Sequence, residues 1–327
     1  MTTELRPDLR TLPFGLKRYR PGIFEKLHAC GSGIVTASQV PALFNESRFA
    51  GRFATLAHIK GLSPLESFGN EALMERGLRL EKVACEMVSE DKGWRVHQAK
   101  AWKAHDRIER LAASPDAVCW DNDDNPLGDH GNHPGIGEIK VVADMIWSQR
   151  WQEGPPLDVE LQHQTQFACT GATWGFIAAL VVGTFRWDLI VYETKPRADV
   201  IAILEAEVET ALAKLDEGDL GAPDEHKASI RAAQRLWAPD ESKVLALNDP
   251  EADDRLQRWL QARADRLAAE KVEEAQHVYF ASRALDHGLI RCPGGGTVAI
   301  KSVQKKAHKV EATEYRRLTP KPAKEEP

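Results

Sequence analysis

The sequence predicts an α/β protein, a core of strands and flanking helices followed by a helical arm and a β-ribbon. Three observations predict it. Short apolar-biased runs, separated by turn-rich segments, recur through the middle of the chain and read as strands. Stretches with apolar residues at helical spacing surround them. Past residue 250 the pattern becomes one long helical periodicity, then a glycine-rich turn, then a basic, proline-bearing end. Strands mixed with flanking helices are what a layered α/β core requires.

Residues 1–25 are polar and contain Pro and Arg, and read as a poorly ordered arm. Residues 38–44 and 53–61 read as short helices. Residues 70–91 form a longer one, capped by Asn70 and ended near Gly93, with Leu73, Leu80, Val83, Ala84 and Met87 as its apolar residues. Three strands follow, at 94–102, 111–120 and 136–142. Next come a helix at 159–170, a strand pair at 174–182 and 187–193 turning at Gly183, and a helix at 197–215. Residues 223–250 read as a helical segment broken by prolines. Leu256, Leu260, Ala264, Leu267, Ala275 and Val278 then repeat at roughly helical spacing, which predicts a helical hairpin or coiled-coil arm. Residues 288–303 read as a β-hairpin across Gly294-Gly295-Gly296. The expected division is an arm at 1–25, a core domain at 26–222 and an appendage at 223–327.

At 327 residues the chain accommodates one large domain, or one domain with an appendage. A hydrophobic content of 43% is ordinary for a soluble globular protein. No apolar run reaches transmembrane length, and the N-terminus lacks a charged-then-apolar export layout, so a cytoplasmic location is expected. The five cysteines, Cys30, Cys85, Cys119, Cys169 and Cys292, are odd in number and scattered, which fits reduced thiols. A net charge of −6 argues against a protein that coats nucleic acid, but not against a local basic groove.

The chemistry-bearing residues lie near the middle. Asp116 follows Ser114-Pro115, and Glu138 and Lys140 stand in Gly137-Glu138-Ile139-Lys140. Residues i and i+2 of a strand share a face, so Glu138 and Lys140 project together. A paired strand can bring Asp116 beside them. Two carboxylates and an ammonium at one sheet edge suit metal-assisted phosphodiester cleavage, in which the carboxylates hold a divalent cation and the lysine orients the attacking water. A lone Glu-x-Lys carries no weight, since chance supplies two or three acid-x-Lys tripeptides in a chain of this composition, on the order of its charged fraction. Order and context supply the weight. Gly77 and Glu81 lie on an upstream helix, and Gln162-His163-Gln164-Thr165-Gln166 with Ala168-Cys169-Thr170-Gly171 lies downstream.

This arrangement resembles the PD-(D/E)XK nucleases, and within them the lambda-exonuclease and YqaJ-type viral recombinase branch. The resemblance rests on Gly33-Ile34-Val35-Thr36-Ala37-Ser38, on Gly77 with Glu81, and on Ala113-Ser114-Pro115-Asp116. It rests equally on Glu138-Ile139-Lys140 and on residues 162–171, which look like the branch's Gln-x-Gln helix ending in Thr-Gly. It covers residues 25 to 195 and implies a restriction-endonuclease-like core, a central mixed sheet flanked by helices, over 26–222. By the same resemblance Glu81, Asp116, Glu138 and the Ile139 carbonyl would bind one or two Mg²⁺ ions, with Mn²⁺ as a substitute. Lys140 would position water, Gln162 and Gln164 would assist at the active site, and Ser38 and Ser114 would hold a terminal phosphate. The implied activity is 5′ to 3′ resection of linear duplex DNA ends for phage-type recombination. The implied partners are a single-strand annealing protein and two further copies in a trimeric ring, and the implied setting is the cytoplasm of a bacterial host.

Two departures stand out. The branch carries an arginine just before Gly-x-x-Thr-Ala-Ser where this chain has Gly31-Ser32, and a basic residue where it has Ile146. Preference for a 5′-phosphate and processivity are therefore not carried over. Arg48, Arg52 and His28 are the substitutes the sequence offers, and nothing in it chooses between them.

Other features weigh less. Residues 121–125 suggest a calcium loop, but Pro126 and Asn132 stand where an EF-hand needs Gly and Glu. Cys119, His130 and His133 lack a fourth zinc ligand at suitable spacing. Trp147 and Trp151, four apart on an expected helix, read as core in preference to a base-stacking platform. Lys301, Lys305, Lys306, Lys309, Arg316 and Arg317 read as a solvated tail, with DNA contact as the sharper option. Two rival functions remain open: a structure-specific or restriction-type endonuclease of the same fold, and a catalytically inactive DNA-binding module.

Overall fold

The computed structural model describes residues 12–20, 22–65, 71–121, 130, 133–237, 244–245, 249–285 and 287–300. The chain divides into two compact units, at 1–237 and 238–327.

In the first unit, a 3₁₀ turn at Pro13–Gly15 leads to β1 (Lys17–Arg18), α1 (Ile23–Leu27) and β2 (Val35–Thr36). Then come α2 (Val40–Leu43), α3 (Arg52–Lys60), α4 (Glu71–Lys92), β3 (Arg95–Gln98), β4 (Ala101–Ala104), β5 (Leu111–Ala113) and β6 (Ala117–Trp120). The unit closes with β7 (Gly135–Ala143), α5 (Asp144–Arg150), α6 (Leu157–Thr170), β8 (Gly175–Val182), β9 (Trp187–Thr194), α7 (Ala198–Glu217) and α8 (Lys227–Leu236). The strands build two mixed sheets, a four-stranded one in the order β1-β4-β5-β2 and a five-stranded one in the order β3-β6-β7-β8-β9. Helices flank them, so the α/β architecture expected from the sequence is the one observed.

The main difference from the sequence reading lies in two expected strands, 94–102 and 111–120. Each is two strands, one in each sheet. Pro115 has no N–H to offer a ladder, so β5 ends before it and the chain enters the second sheet as β6. The opposite crossing, β3 to β4, runs through Lys100, a non-glycine residue at φ 42°. The two crossings are tied together by Ala99 N donating to Asp116 O at 2.8 Å.

The alternation of β7 and β8 sorts the core into two layers. Ile139, Phe176, Ala178 and Leu180 pack with Ala84, Cys85 and Val88 of α4. Val142, Ile177, Ala179 and Val181 pack with Trp147, Trp151 and Val159 on the opposite face. The two tryptophans are thus core, stacked at 5.8 Å, as the spacing suggested. Among the α4 residues read as apolar-face positions, Val83 is exposed and Leu73 lies outside the described side chains. A third core gathers α2, α3, α6 and α7 around Leu56, Leu161, Leu204 and Leu212.

Two boundaries shift. Residues 12–20 and 22–25, read as part of a loose arm, are built into the unit: β1 pairs with β4, and Leu12, Phe14 and Leu16 join the cluster of Ala99, Val118 and Trp120. Helix α8, assigned to the appendage at 223–327, instead packs Ala228 and Ala232 against Phe53, Ala54 and Ala57 of α3. Asp224 Oδ2 accepts from Phe53 N at 3.0 Å, which satisfies one of the orphan donors at the start of α3. The contact boundary therefore falls after Trp237, not after Ala222.

The second unit holds α9 (Pro250–Ala284), β10 (Leu289–Arg291) and β11 (Thr297–Ala299). The arm is one uninterrupted helix of 35 residues, not a helical hairpin. Its N-terminus is capped by Asp249, whose side chain accepts from Glu251 N at 2.9 Å. The glycine-turn ribbon forms as expected, with Ile290 opposite Val298. The calcium-like loop beyond Asp121, Asn70 and the basic residues from 301 onward lie outside the described residues.

Candidate active site

The site assembles where the chain crosses between sheets. β6 and β7 pair with Ala117 opposite Gly137, and continuing that register by one residue sets Asp116 across from Glu138. Asp116 N donates to Gly137 O at 3.0 Å, and Asp116 Oδ2 accepts from Ile139 N at 2.8 Å, which turns the carboxylate onto β7. Gly137 matters here. A Cβ at that position would come within 2.3 Å of the Phe176 ring, so glycine leaves the room that ring occupies over β7.

Glu138 and Lys140 share the face of β7 that looks toward α6. Glu138 is 1% exposed. Its Oε1 lies 2.6 Å from Lys140 Nζ and accepts from Gln162 Nε2 at 2.7 Å. Its Oε2 accepts from Gln166 Nε2 at 2.5 Å. Lys140 Nζ also donates to Gln162 Oε1 at 3.1 Å. Glu81 comes from α4 and accepts from Gln98 Nε2 at 2.8 Å.

The electrostatics link these groups. Burial pushes Asp116 well above the ordinary carboxylate range, and the charges of Glu138 and Glu81 push it further, against the pull of Lys140. Burial likewise raises Glu81, with Glu138 adding and Lys140 opposing. Burial works to lower Lys140, but Glu138 and Asp116 outweigh it, so its ammonium holds its proton more firmly than an ordinary lysine. Three carboxylates are therefore close enough to repel one another, with Lys140 acting on both Asp116 and Glu81 and Lys100 also on Glu81.

Hard oxygen donors of this kind suit Mg²⁺. Among the described residues, however, no three His, Cys, Asp or Glu side chains stand as a ready-made metal cage. Lys140 and Gln162 approach Glu138 Oε1, Gln166 approaches its Oε2, and Gln98 donates to Glu81. The donor chemistry of the three carboxylates fits a divalent ion.

The remaining expected site residues divide. Gln164 does not join the site: its amide accepts from Arg197 N at 2.8 Å and donates to Lys195 O at 3.0 Å, fastening the start of α7. Gln166, to which the sequence reading gave no role, lies beside Glu138. The Ser114 hydroxyl is committed to the fold, accepting from Tyr19 Oη at 2.5 Å and donating to Ala101 O at 2.9 Å. Ser38 is exposed, with its Oγ 3.1 Å from Thr36 Oγ1. Of the three substitutes, Arg52 is held by Leu43 O and Glu207. His28 packs at 4.6 Å on Phe24, and its carbonyl lies 3.1 Å from His58 Nε2. Arg48 lies over the Phe49 ring and interacts electrostatically with Arg150 and Asp158, and Asp158 in turn acts on Lys140. Of the three, Arg48 shares a carboxylate neighbour, Asp158, with Lys140. His130 stacks on Trp174 at 4.1 Å, and His133 offers its carbonyl to the Trp174 indole.

Residues 25–173 match the YqaJ-like viral recombinase domain family, a stretch that contains Glu81, Asp116, Glu138, Lys140 and the glutamine helix. No curated protein matches the chain. Among solved structures it is similar to the alkaline exonuclease LHK-Exo from Laribacter hongkongensis, alone and in complex with dAMP. Each is 24% identical, with a TM-score of 0.46, covering 59% of this chain and 93% of that one. A second likeness is to SSO0001, 15% identical, with a TM-score of 0.33, covering 58% of this chain and 83% of that one. No described helix is long and apolar enough to cross a membrane.

Proposed function

We propose, from the match of residues 25–173 to the YqaJ-like viral recombinase domain family, that this protein is a Mg²⁺-dependent exonuclease. It resects linear duplex DNA from its ends, 5′ to 3′, to feed recombination by strand annealing. One observation carries the reading: Asp116, Glu138 and Lys140 meet at the crossing between two sheets, with Glu81 in electrostatic reach.

Glu81, Asp116, Glu138 and the Ile139 carbonyl would hold one or two Mg²⁺ ions, or Mn²⁺, which lower the pKa of a bound water and offset charge on the phosphate. Lys140 keeps its ammonium charged and aimed by Glu138 and Gln162, where it stabilises negative charge gathering on the scissile phosphate. Gln162 bridges Lys140 and Glu138, so the pair is held in one orientation before substrate arrives. Arg48, which shares the neighbour Asp158 with Lys140, serves as a phosphate contact. The partners that go with this reading are duplex ends, a single-strand annealing protein and two further copies in a ring.

The test uses linear duplexes labelled at either end, with and without a 5′-phosphate, beside a covalently closed circle, all in Mg²⁺. Shortening from the 5′ end with the circle intact is expected. Cutting of the closed circle would replace the exonuclease with an endonuclease of the same fold. Binding without cutting would leave only a DNA-binding module.

A further inference from the structure

Behind Glu138 lies a line of buried polar groups that the chemistry above does not use. Gln166 Nε2 donates to Glu138 Oε2 at 2.5 Å and lies 3.5 Å from Ser114 O. His163 Nδ1 is 2.8 Å from Gln166 Oε1, and His163 Nε2 is 2.9 Å from Thr194 Oγ1 on β9. His163 and Gln166 are 0% and 1% exposed.

Donor and acceptor chemistry leaves one assignment for this line. Turned round, the Gln166 amide would aim its oxygen at a carboxylate and a backbone carbonyl, acceptors facing an acceptor with no proton between them. Its NH₂ therefore faces Glu138 and its oxygen faces His163. That oxygen takes a proton from Nδ1, so the imidazole is the Nδ1–H tautomer and Nε2 accepts from the Thr194 hydroxyl. Burial keeps the ring neutral, pushing its pKa down, against Gln166 and Glu138 and together with Lys140. The Phe167 ring packs on it at 4.6 Å, and Gly175 leaves the room it needs, since a Cβ there would reach 3.2 Å from Nε2.

We propose that His163, anchored by Thr194, is a positioning residue for the active site. It fixes the Gln166 amide, which holds Glu138 Oε2 while Lys140 and Gln162 meet Oε1, and so sets the orientation in which the carboxylate would meet a divalent ion. The proposal rests on Glu138 being a metal ligand. Partners one shell behind a ligand commonly change metal affinity by about 10- to 100-fold, because they set the orientation of the oxygen that binds.

The experiment uses the full chain and Mn²⁺ as the probe, by titration calorimetry, with imidazole ¹⁵N NMR as a second readout. His163→Leu removes the donor and frees the amide, and should weaken Mn²⁺ binding by about tenfold. His163→Asn keeps an N–H near the Nδ1 position and should stay within about threefold of wild type. The wild-type spectrum should show a protonated Nδ1 and a bare Nε2 at neutral pH. Thr194→Val, nearly isosteric, removes the anchor at Nε2 while Gln166 still requires the Nδ1–H, so it should keep the tautomer and weaken Mn²⁺ binding by about threefold or more, which covers the case of a Leu variant that does not fold. Equal losses in the Leu and Asn variants, unchanged affinity in the Leu variant, or an Nε2–H tautomer in the wild type would each overturn the proposal. Wild-type protein that binds no Mn²⁺ would instead overturn the metal-site reading, leaving the relay to be judged by the wild-type tautomer.

Discussion

Lys140 Nζ lies 2.6 Å from Glu138 Oε1, two residues away on the same face of β7. The strand's period of two produces this pairing without help from any loop. Glu138 stabilises the charged form of Lys140, so the ammonium stays ready in a partly desolvated place.

Lys140→Ala should lower cleavage by about 100-fold or more, the usual cost of removing a preorganised charge from a reacting centre. Lys140 is partly exposed and fills no core volume, so fold and DNA binding should persist. Single-turnover cleavage beside a DNA-binding titration checks this, and near-normal turnover would mean that the ammonium has no catalytic role.

Asp116→Asn and Glu138→Gln should each weaken Mg²⁺ binding by about tenfold or more, with nuclease activity falling in parallel. Each removes one anionic charge from the donor set. Calorimetric titration with metal reads the first effect, and unchanged affinity in both variants would remove these residues from the ligand set.

Without metal, stability should fall as pH rises through the carboxylates' folded-state pKa values. Asp116 and Glu81 are both raised in the fold, chiefly by burial. A group that holds its proton more tightly folded than unfolded stabilises the fold at low pH, and that contribution is lost as pH climbs through the raised value. Lys140 is also raised, but its contribution is lost only in the alkaline range, above an ordinary lysine pKa. Thermal melts in chelator across the acidic range test the sign. Mg²⁺ should reverse the loss, because it stabilises the ionised carboxylates. Melts that rise with pH in chelator would contradict the burial argument.

A chain ended after Trp237 should fold and cut linear duplex, whereas one ended at Ala222 should be markedly less stable. The shorter chain loses Asp224 from the start of α3 and uncovers Phe53, Ala54 and Ala57. Stripping such packing costs on the order of 3 kcal/mol or more. Denaturant melts of the two chains distinguish them, and equal stability would show that α8 contributes little to the first unit.

Arg48→Ala should weaken binding of duplex ends and flatten its salt dependence by about one phosphate contact. Its neighbours Arg150 and Asp158 should keep the local fold. Binding isotherms at several salt concentrations provide the check, and an unchanged slope would mean Arg48 does not meet the backbone.

Much of this was legible in the sequence because it rests on local periodicity. Glu138 and Lys140 share a face by strand geometry alone, and Pro115 marks the approach to Asp116. Helix 70–91, strand 136–142 and the glycine-turned ribbon end within a few residues of where they were expected. The misreadings share a different cause. Strands 94–102 and 111–120 looked continuous because hydrophobicity does not register a change of sheet. Gln164 and Gln166 lie on different faces of α6, and which face meets Glu138 is set by how the helix docks. The spacing of four between Gln162 and Gln166 was the available signal. The place of α8 depended on Asp224 finding Phe53 N, a long-range contact no local pattern announces.

The crossing at Pro115 and Asp116 ties the working parts of this protein to a seam between two sheets. Asp116 belongs to the joint itself, while Glu138 belongs to a central strand of one side. Their separation is thus a gauge of the angle at which the sheets meet. Anything that loosens the smaller sheet, including loss of its edge strand β1 or of the Tyr19–Ser114 clasp, should register there as slackened geometry while the larger sheet still melts normally. Activity would then fade ahead of unfolding, and damage far from the carboxylates would imitate damage to them.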